Sequence, residues 1–403
     1  MLSRRWSATR PRVAGFTLIE MMVALVVSAL AAVGIYQGFI STSNAFRQTK
    51  AQGNAWQQAR TAMTLITEAV ESAGYGLPIT NCSQIYTNNF QSAGGGLLSL
   101  APVSAQSPVS ATLNPYDPSA TPVNAGVGSY ELQTVTGGGN YGSAPVTYIS
   151  SVPSLTAPSI KVASTLLLNK SDLFLVTLPN ASCVLGQITN TNPATATVVF
   201  NSGRGGSAYN LPQAFSAVDP GVTTAQLLNA GFVDLGNASF AVDNFYVGYK
   251  LNPITNTFDY NSVPSLYMQQ YTALTNNASV PPSELIARGV VDMQVEFGYG
   301  TGGFVTSWGA PGTQPGRDVD AVKVVLLVRS TRVVPHAGTV TGNRITLFQN
   351  STAPNNNNGV VSYVIPTALP ANNTTGCLDG NCSHYLYHVF KTVIPVRNVI
   401  WAQ

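Results

Sequence analysis

Apolar positions crowd one end of the chain and thin out after it. From Phe16 to Ile35 nearly every side chain is apolar: Phe-Thr-Leu-Ile-Glu-Met-Met-Val-Ala-Leu-Val-Val-Ser-Ala-Leu-Ala-Ala-Val-Gly-Ile. About 20 such residues, at ~1.5 Å rise per residue, cross a bilayer core as a helix. Past Ile40 the pattern turns amphipathic without a break. Trp56, Ala59, Met63, Ile66, Val70 and Ala73 recur at three- and four-residue steps, while Gln57, Arg60, Thr64, Thr67 and Glu71 take other faces. Gly74, Gly76 and then Pro78 supply helix-stop chemistry. The pattern predicts one helix from about Phe16 to Ala73, apolar all round in its first half and striped in its second. No proline interrupts the first half, although Gly34 and Gly38 soften it.

Downstream the periodicity changes to that of strands. Residues 77–160 are rich in Gly, Ser, Pro, Thr and Asn, with short apolar bursts such as Leu97-Leu98, and predict long surface loops with short strands. Leu166–Leu168 and Leu173–Leu178 are better strand candidates, as is the alternation of Phe245, Val247 and Tyr249. Val291-Asp292-Met293-Gln294-Val295-Glu296-Phe297 alternates strictly and predicts a half-exposed strand. Ala321–Val328 is almost continuously apolar and predicts a central strand covered on both faces. Tyr385 to Val396 closes the chain with another strand-like stretch. The fold class is α+β: a long N-terminal helix packed on a mostly antiparallel sheet with long loops.

Composition narrows the setting. Asp, Glu, Lys and Arg make up 9% of the 403 residues, against roughly 25% in ordinary soluble domains. Gly, Pro, Ser, Thr and Asn fill the gap, as in exported, strand-and-turn proteins. The net charge is +3, and Arg4, Arg5, Arg10 and Arg12 lie at the N-terminal end. Between Gly76 and Ile160 the charges are Asp117 and Glu131 alone. A nucleic-acid footprint needs clustered Lys and Arg, so nucleic acid is not a partner of the body. Cys82, Cys183, Cys377 and Cys382 give an even count on an exported chain, which reads as two disulfides. Leu-Asp-Gly-Asn between Cys377 and Cys382 is a turn that brings their Cα atoms within bridging range. That pairs Cys377 with Cys382, and Cys82 with Cys183 by elimination. A zinc site with His384 and His388 is the competing reading, but the spacing fits no compact Cys/His motif.

The N-terminal run also carries chemistry. Arginines before it keep the leader cytoplasmic and send the bulk of the chain across the membrane. An ordinary secretory signal has a shorter apolar stretch and a small-residue cleavage site. Glu20 is the anomaly, because a carboxylate in a membrane-spanning run costs a few kcal/mol and marks a functional position.

Gly15-Phe16-Thr17-Leu18-Ile19-Glu20 resembles the prepilin processing motif of type IV pilins and type II secretion pseudopilins. The resemblance implies cleavage after Gly15 by a membrane prepilin peptidase, N-methylation of Phe16, and subunit assembly through Glu20. Cleavage creates an α-amine on Phe16, whose ordinary pKa of about 7.7–8.0 leaves it largely cationic at neutral pH. In a filament core that cation and the Glu20 carboxylate of an adjacent subunit offset each other's desolvation. Solvation of Glu20 at the membrane edge is the simpler alternative. Further along, Asp320–Ser330 and His388–Asn398 resemble the late strands of PilW-type minor pilins, though the arginine pair of that family before Phe390 is missing.

The implied organisation is a cleaved basic leader at 1–15, a polymerisation half-helix at 16–40, an amphipathic half-helix at 41–75, and a periplasmic domain at 76–403 with a loop-rich insertion at about 77–280. The implied function is a structural minor pilin that helps initiate type IV pilus assembly, and with it motility and adhesion. Its expected partners are the prepilin peptidase, other minor pilins, the major pilin and the inner membrane, which it spans once before joining the fibre at the cell surface. Two alternatives remain: a J-type pseudopilin of type II secretion, and an adhesin whose binding insertion rides on a pilin stem. An enzyme is not expected, nor a cofactor or metal. His384 and His388 sit among strand-forming residues, and His336 is the third histidine. Gly203-Arg204-Gly205-Gly206 lacks the Lys-Ser/Thr of a phosphate loop. Asp318, Asp320 and Glu296 read as solvated strand ends, and no serine has nucleophile-elbow flanks.

Overall fold

A computed structural model describes residues 17–77, 84–86, 101–106, 129–138, 147–178, 182–202, 210, 215, 223–237, 240–252, 257–259, 263–272, 283–301, 304–311, 319–333, 344–349, 360–365 and 382–397. The chain divides into two compact units, Met1–Lys50 and Ala51–Gln403. One helix, Leu18–Ser72, runs through both, as the unbroken periodicity predicts. It holds no proline, and its hydroxyls bond back to the preceding turn: Ser28 Oγ to Ala24 O at 2.6 Å, Thr42 Oγ1 to Gly38 O at 2.9 Å and Thr49 Oγ1 to Ala45 O at 3.0 Å. Such bonds give each hydroxyl a partner within the helix itself. The helix ends at glycines: Gly74 and Gly76 adopt φ of 80° and 69°, a region nearly closed to other residues. A Cβ on Gly76 would collide with the backbone of Gly137.

Three larger sheets make up the body among the described residues. The first has four strands in the order Phe304–Gly309, Val290–Thr301, Val319–Arg329, Tyr387–Pro395, all antiparallel. The second has five: Glu284–Arg288, Ser265–Thr272, Ala241–Gly248, Glu131–Thr136 and Val103–Gln106. The third has eight, in the order Gln84–Tyr86, Ser182–Gln187, Leu173–Thr177, Gly231–Gly236, Thr147–Ser151, Ser159–Val162, Thr197–Val199, Asn190–Asn192. The pairing of Gln84–Tyr86 with Ser182–Gln187 is parallel and the other described ladders are antiparallel. The class is therefore α+β, helix on mostly antiparallel sheet.

The main core lies where the second half of the helix meets the four- and five-stranded sheets. Ala55, Ala59, Ala62, Ile66, Val70 and Ala73 face Leu132, Phe245 and Leu266 from one sheet and Val295, Phe297, Val324 and Leu326 from the other. Alanines dominate the start of this stripe because two sheets crowd one helix and leave room for little more than a methyl. The five- and four-stranded sheets are stitched together where Tyr130 N–H donates to Met293 O at 2.8 Å and Met293 N–H to Ser129 Oγ at 3.0 Å.

Several expectations change at this level. Trp56, expected in the buried stripe, is 56% exposed; its neighbour Ala55 is buried instead, and Met63 is half-buried. The stripe is rotated because the two sheets leave no space for an indole. Trp56 lies against the last strand instead, 5.2 Å edge-to-face from the Phe390 ring. Leu166–Leu168 is a turn, with Leu167 at φ 75°, and not a strand. Val291–Phe297 is part of the strand Val290–Thr301, but it is covered on both faces. Its polar side chains are buried with partners: Glu296 pairs with Lys323 Nζ at 2.7 Å, and Asp292 accepts from Gln294 Nε2 at 2.9 Å. Glu296 and Asp320 are thus not solvated strand ends. Glu131–Thr136, in the stretch expected to hold surface loops with short strands, is a strand but a buried one. Ala321–Val328 is a central strand covered on both faces, as expected.

Candidate functional site: the exposed apolar helix and its acidic first turn

From Thr17 to Thr42 every residue is exposed, although Leu18, Ile19, Met21, Leu25, Leu30, Ile35 and Phe39 are all large and apolar. Water is a poor solvent for such a surface, at about 25 cal/mol for each Å² of apolar area. Length and apolarity suffice for a membrane crossing. The one acid in this stretch, Glu20, sits in the first turn.

Glu20 is held there by Thr17. The Thr17 N–H and Oγ1 each donate to Glu20 Oε2 at 3.1 Å, and Thr17 Oγ1 accepts from the Glu20 N–H at 3.3 Å. This reciprocal pair is a capping box: it satisfies amides that the first helical turn leaves open. The carboxylate also meets the positive end of the helix dipole. A shallow groove lined by Ile19, Glu20, Val23, Ala24, Val27 and Ser28 runs on from it. The Thr-x-x-Glu spacing at 17–20 is a sequence signature of a capping box. Gly15 and Phe16 lie outside the described residues.

The remaining predicted positions fall in the body. Cys183 lies in the strand Ser182–Gln187 and Cys382 in the 3-10 turn Cys382–His384; both are buried and disulfide-bonded. Cys82 and Cys377 are outside the described residues. Gln84 pairs with Ser182, which brings the chain beside Cys183 two residues after Cys82. His384 is exposed, whereas His388 is half-buried with its ring 6.2 Å from Trp56, and burial pushes its pKa down. Among the described residues no three His, Cys, Asp or Glu side chains gather as metal ligands. His336, Asp318 and the Gly203–Gly206 segment lie outside the described residues.

Two sequence families match the chain. Residues 248–398 match Type IV Pilus-assembly protein W, and residues 10–36 match the prokaryotic N-terminal methylation motif. The second match contains Gly15, Phe16, Thr17 and Glu20, and the first covers all four strands of the sheet that closes on Tyr387–Pro395. No curated protein and no solved structure matches.

Proposed function

We propose that this chain, a type IV pilus-assembly pilin of the PilW kind, is a minor pilin that is cleaved after Gly15, methylated on Phe16 and incorporated at the start of pilus assembly. The observation that carries the reading is the capped acid at the head of a helix whose first half is apolar and fully exposed. The helix first holds the chain in the inner membrane with its body in the periplasm, then packs among other pilin helices in the fibre. Both surroundings remove the apolar side chains from water.

Cleavage by a prepilin peptidase would leave a cationic α-amine one residue before Thr17. Glu20 then has two tasks: its oxygens close the first turn, and its charge offsets the amine of an adjacent subunit. An unpaired carboxylate in that setting would be strongly disfavoured, so the pairing selects subunit register. The disulfides Cys82–Cys183 and Cys377–Cys382 brace the body; the parallel ladder from Gln84 to Ser182 supports the first of them. The match over residues 248–398 favours a pilus partner set of other minor pilins and the major pilin over a type II secretion role.

The test is gene deletion with counting of surface pili, followed by complementation. Wild type should restore piliation, and Glu20→Ala should restore it poorly. Full rescue by Glu20→Ala would remove the role given to the carboxylate. An intact mass showing that the membrane-extracted chain still begins at Met1 would overturn processing itself.

A further inference from the structure

A second surface lies in the eight-stranded sheet, outside the PilW-matched residues and away from the apolar helix in sequence. A shallow groove of about 420 Å³ is lined by Tyr148, Ile149, Ser150, Ala163 and Asn229. Its walls are pinned by backbone hydrogen bonds: Ala163 N–H to Tyr148 O at 2.8 Å, Asn229 N–H to Ile149 O at 2.9 Å, and Ile149 N–H to Ala230 O at 3.0 Å. Ile149 forms the floor and is buried in a core with Ile160, Val162 and Phe232. The Asn229 wall follows the short helix Thr224–Leu227, which Thr223 and Gln226 fix with a capping box. Asn229 itself takes φ 66°, a conformation asparagine tolerates better than most residues.

Tyr148 and Ser150 flank the buried Ile149 on one strand and are both exposed, with a bulge in the ladder to Ser159–Val162 between Ile149 and Ser151. Tyr148 is 54% exposed. Among the described residues, the Tyr148 hydroxyl, the Ser150 hydroxyl and the Asn229 carboxamide take no hydrogen-bond partner. None of the described lining residues is charged; Lys161, opposite Ser151 in register, is not among them. We infer that this groove binds an uncharged sugar. An exposed aromatic ring offers its face to the C–H side of a pyranose, while hydroxyl and carboxamide groups both donate and accept towards sugar hydroxyls. A preformed concave surface with a few convergent polar groups is the ordinary form of a small-ligand site. A site for an anionic ligand would carry a cation.

The inference is independent of the assembly role, because sugar retention and pilus number are separate readouts. The test passes the detergent-solubilised full chain over immobilised chitobiose, lactose and sialyllactose. Wild type should be retained by at least one of the two neutral sugars, and Tyr148→Ala and Asn229→Gly should each weaken retention about tenfold, as truncation of a contact hot spot does. Trp56→Ala, remote from the groove in sequence, should leave it unchanged. On unmodified protein, a retained neutral sugar should also protect Tyr148 from nitration by tetranitromethane, read by peptide mass. Absence of neutral-sugar retention, a preference for sialyllactose, variants that bind like wild type, or unprotected Tyr148 would each overturn the assignment.

Discussion

Oε2 of Glu20 lies 3.1 Å from both the amide nitrogen and Oγ1 of Thr17. The acid therefore has a local, conformational reason to be present beside the proposed intermolecular one, and substitutions separate the two. Glu20→Gln keeps a side chain able to close the capping box but loses the charge. Thr17→Ala keeps the charge and loses its partner, at a helix cost of about 1 kcal/mol. If the charge matters for assembly, Glu20→Gln should give few surface pili, and Thr17→Ala should give more than Glu20→Gln. Pilus counts by electron microscopy decide this; equal, near-normal piliation in both would leave Glu20 as a cap alone.

Ala62 is fully buried where the helix meets two sheets, in the same stripe as Ala59 and Ile66. The stripe is alanine-rich because those sheets approach closely, so added volume has nowhere to go. Ala62→Leu should destabilise the body by about 1–3 kcal/mol through overpacking. Trp56→Ala, at a position more than half exposed, should cost less despite removing far more atoms. Denaturant midpoints of the two variants check the order, and a larger loss for Trp56→Ala would contradict the packing described.

Those two positions also show how far the sequence could be read. A period of three to four residues located the helix, and glycines located its end, since both follow from local stereochemistry. The choice between Ala55 and Trp56 for the buried face did not follow, because it depends on how many sheets cover the helix. The same limit governs Val290–Thr301. Alternation at Asp292, Gln294 and Glu296 looked like a wet face, yet Lys323, Trp308 and the segments around Tyr363 and Tyr385 cover it. Polar residues hide well when their partners come from distant strands. The N-terminal methylation motif was legible because it is a contiguous stretch, within residues 10–36. The Tyr148 groove was not, because its walls come from residues 148–150, 163 and 229.

Burial raises the pKa of Asp292 to about 7 despite its bonds from Gln294 and Ser129. Burial likewise raises Asp234 to about 7, with the nearby Asp172 charge adding to it. Both folded-state values exceed the ordinary 3.8, so between the two the folded chain binds more protons than the unfolded one. Stability should therefore fall as pH rises from about 4 to 7, at up to ~1.4 kcal/mol per pH unit for each group. His388, with its pKa lowered by burial, opposes this slope below its ordinary 6.5. Comparing Asp292→Asn with wild type cancels that contribution. The variant should lose part of the decline between about pH 4 and 7 in urea unfolding, and an unchanged slope would rule Asp292 out as its source.

Lys323 Nζ lies 2.7 Å from Glu296 Oε2 and 4.4 Å from the centre of the Trp308 ring. The carboxylate side chain is 4% exposed and the lysine 27%, so the pair is asymmetric: the acid cannot turn to water if its partner goes. Lys323→Met should accordingly cost about 3 kcal/mol, mostly as the penalty of a stranded buried charge. The lysine's partial exposure keeps that figure at the lower end of what buried pairs give. Glu296→Gln strands only a solvent-reachable ammonium that still rests on Trp308, and should cost less. The double variant should recover much of what Lys323→Met loses, because it removes the stranded charge. A double-mutant cycle on unfolding free energy measures the coupling. Additive losses would mean that the two strands are joined by their ladder alone and the charges contribute nothing.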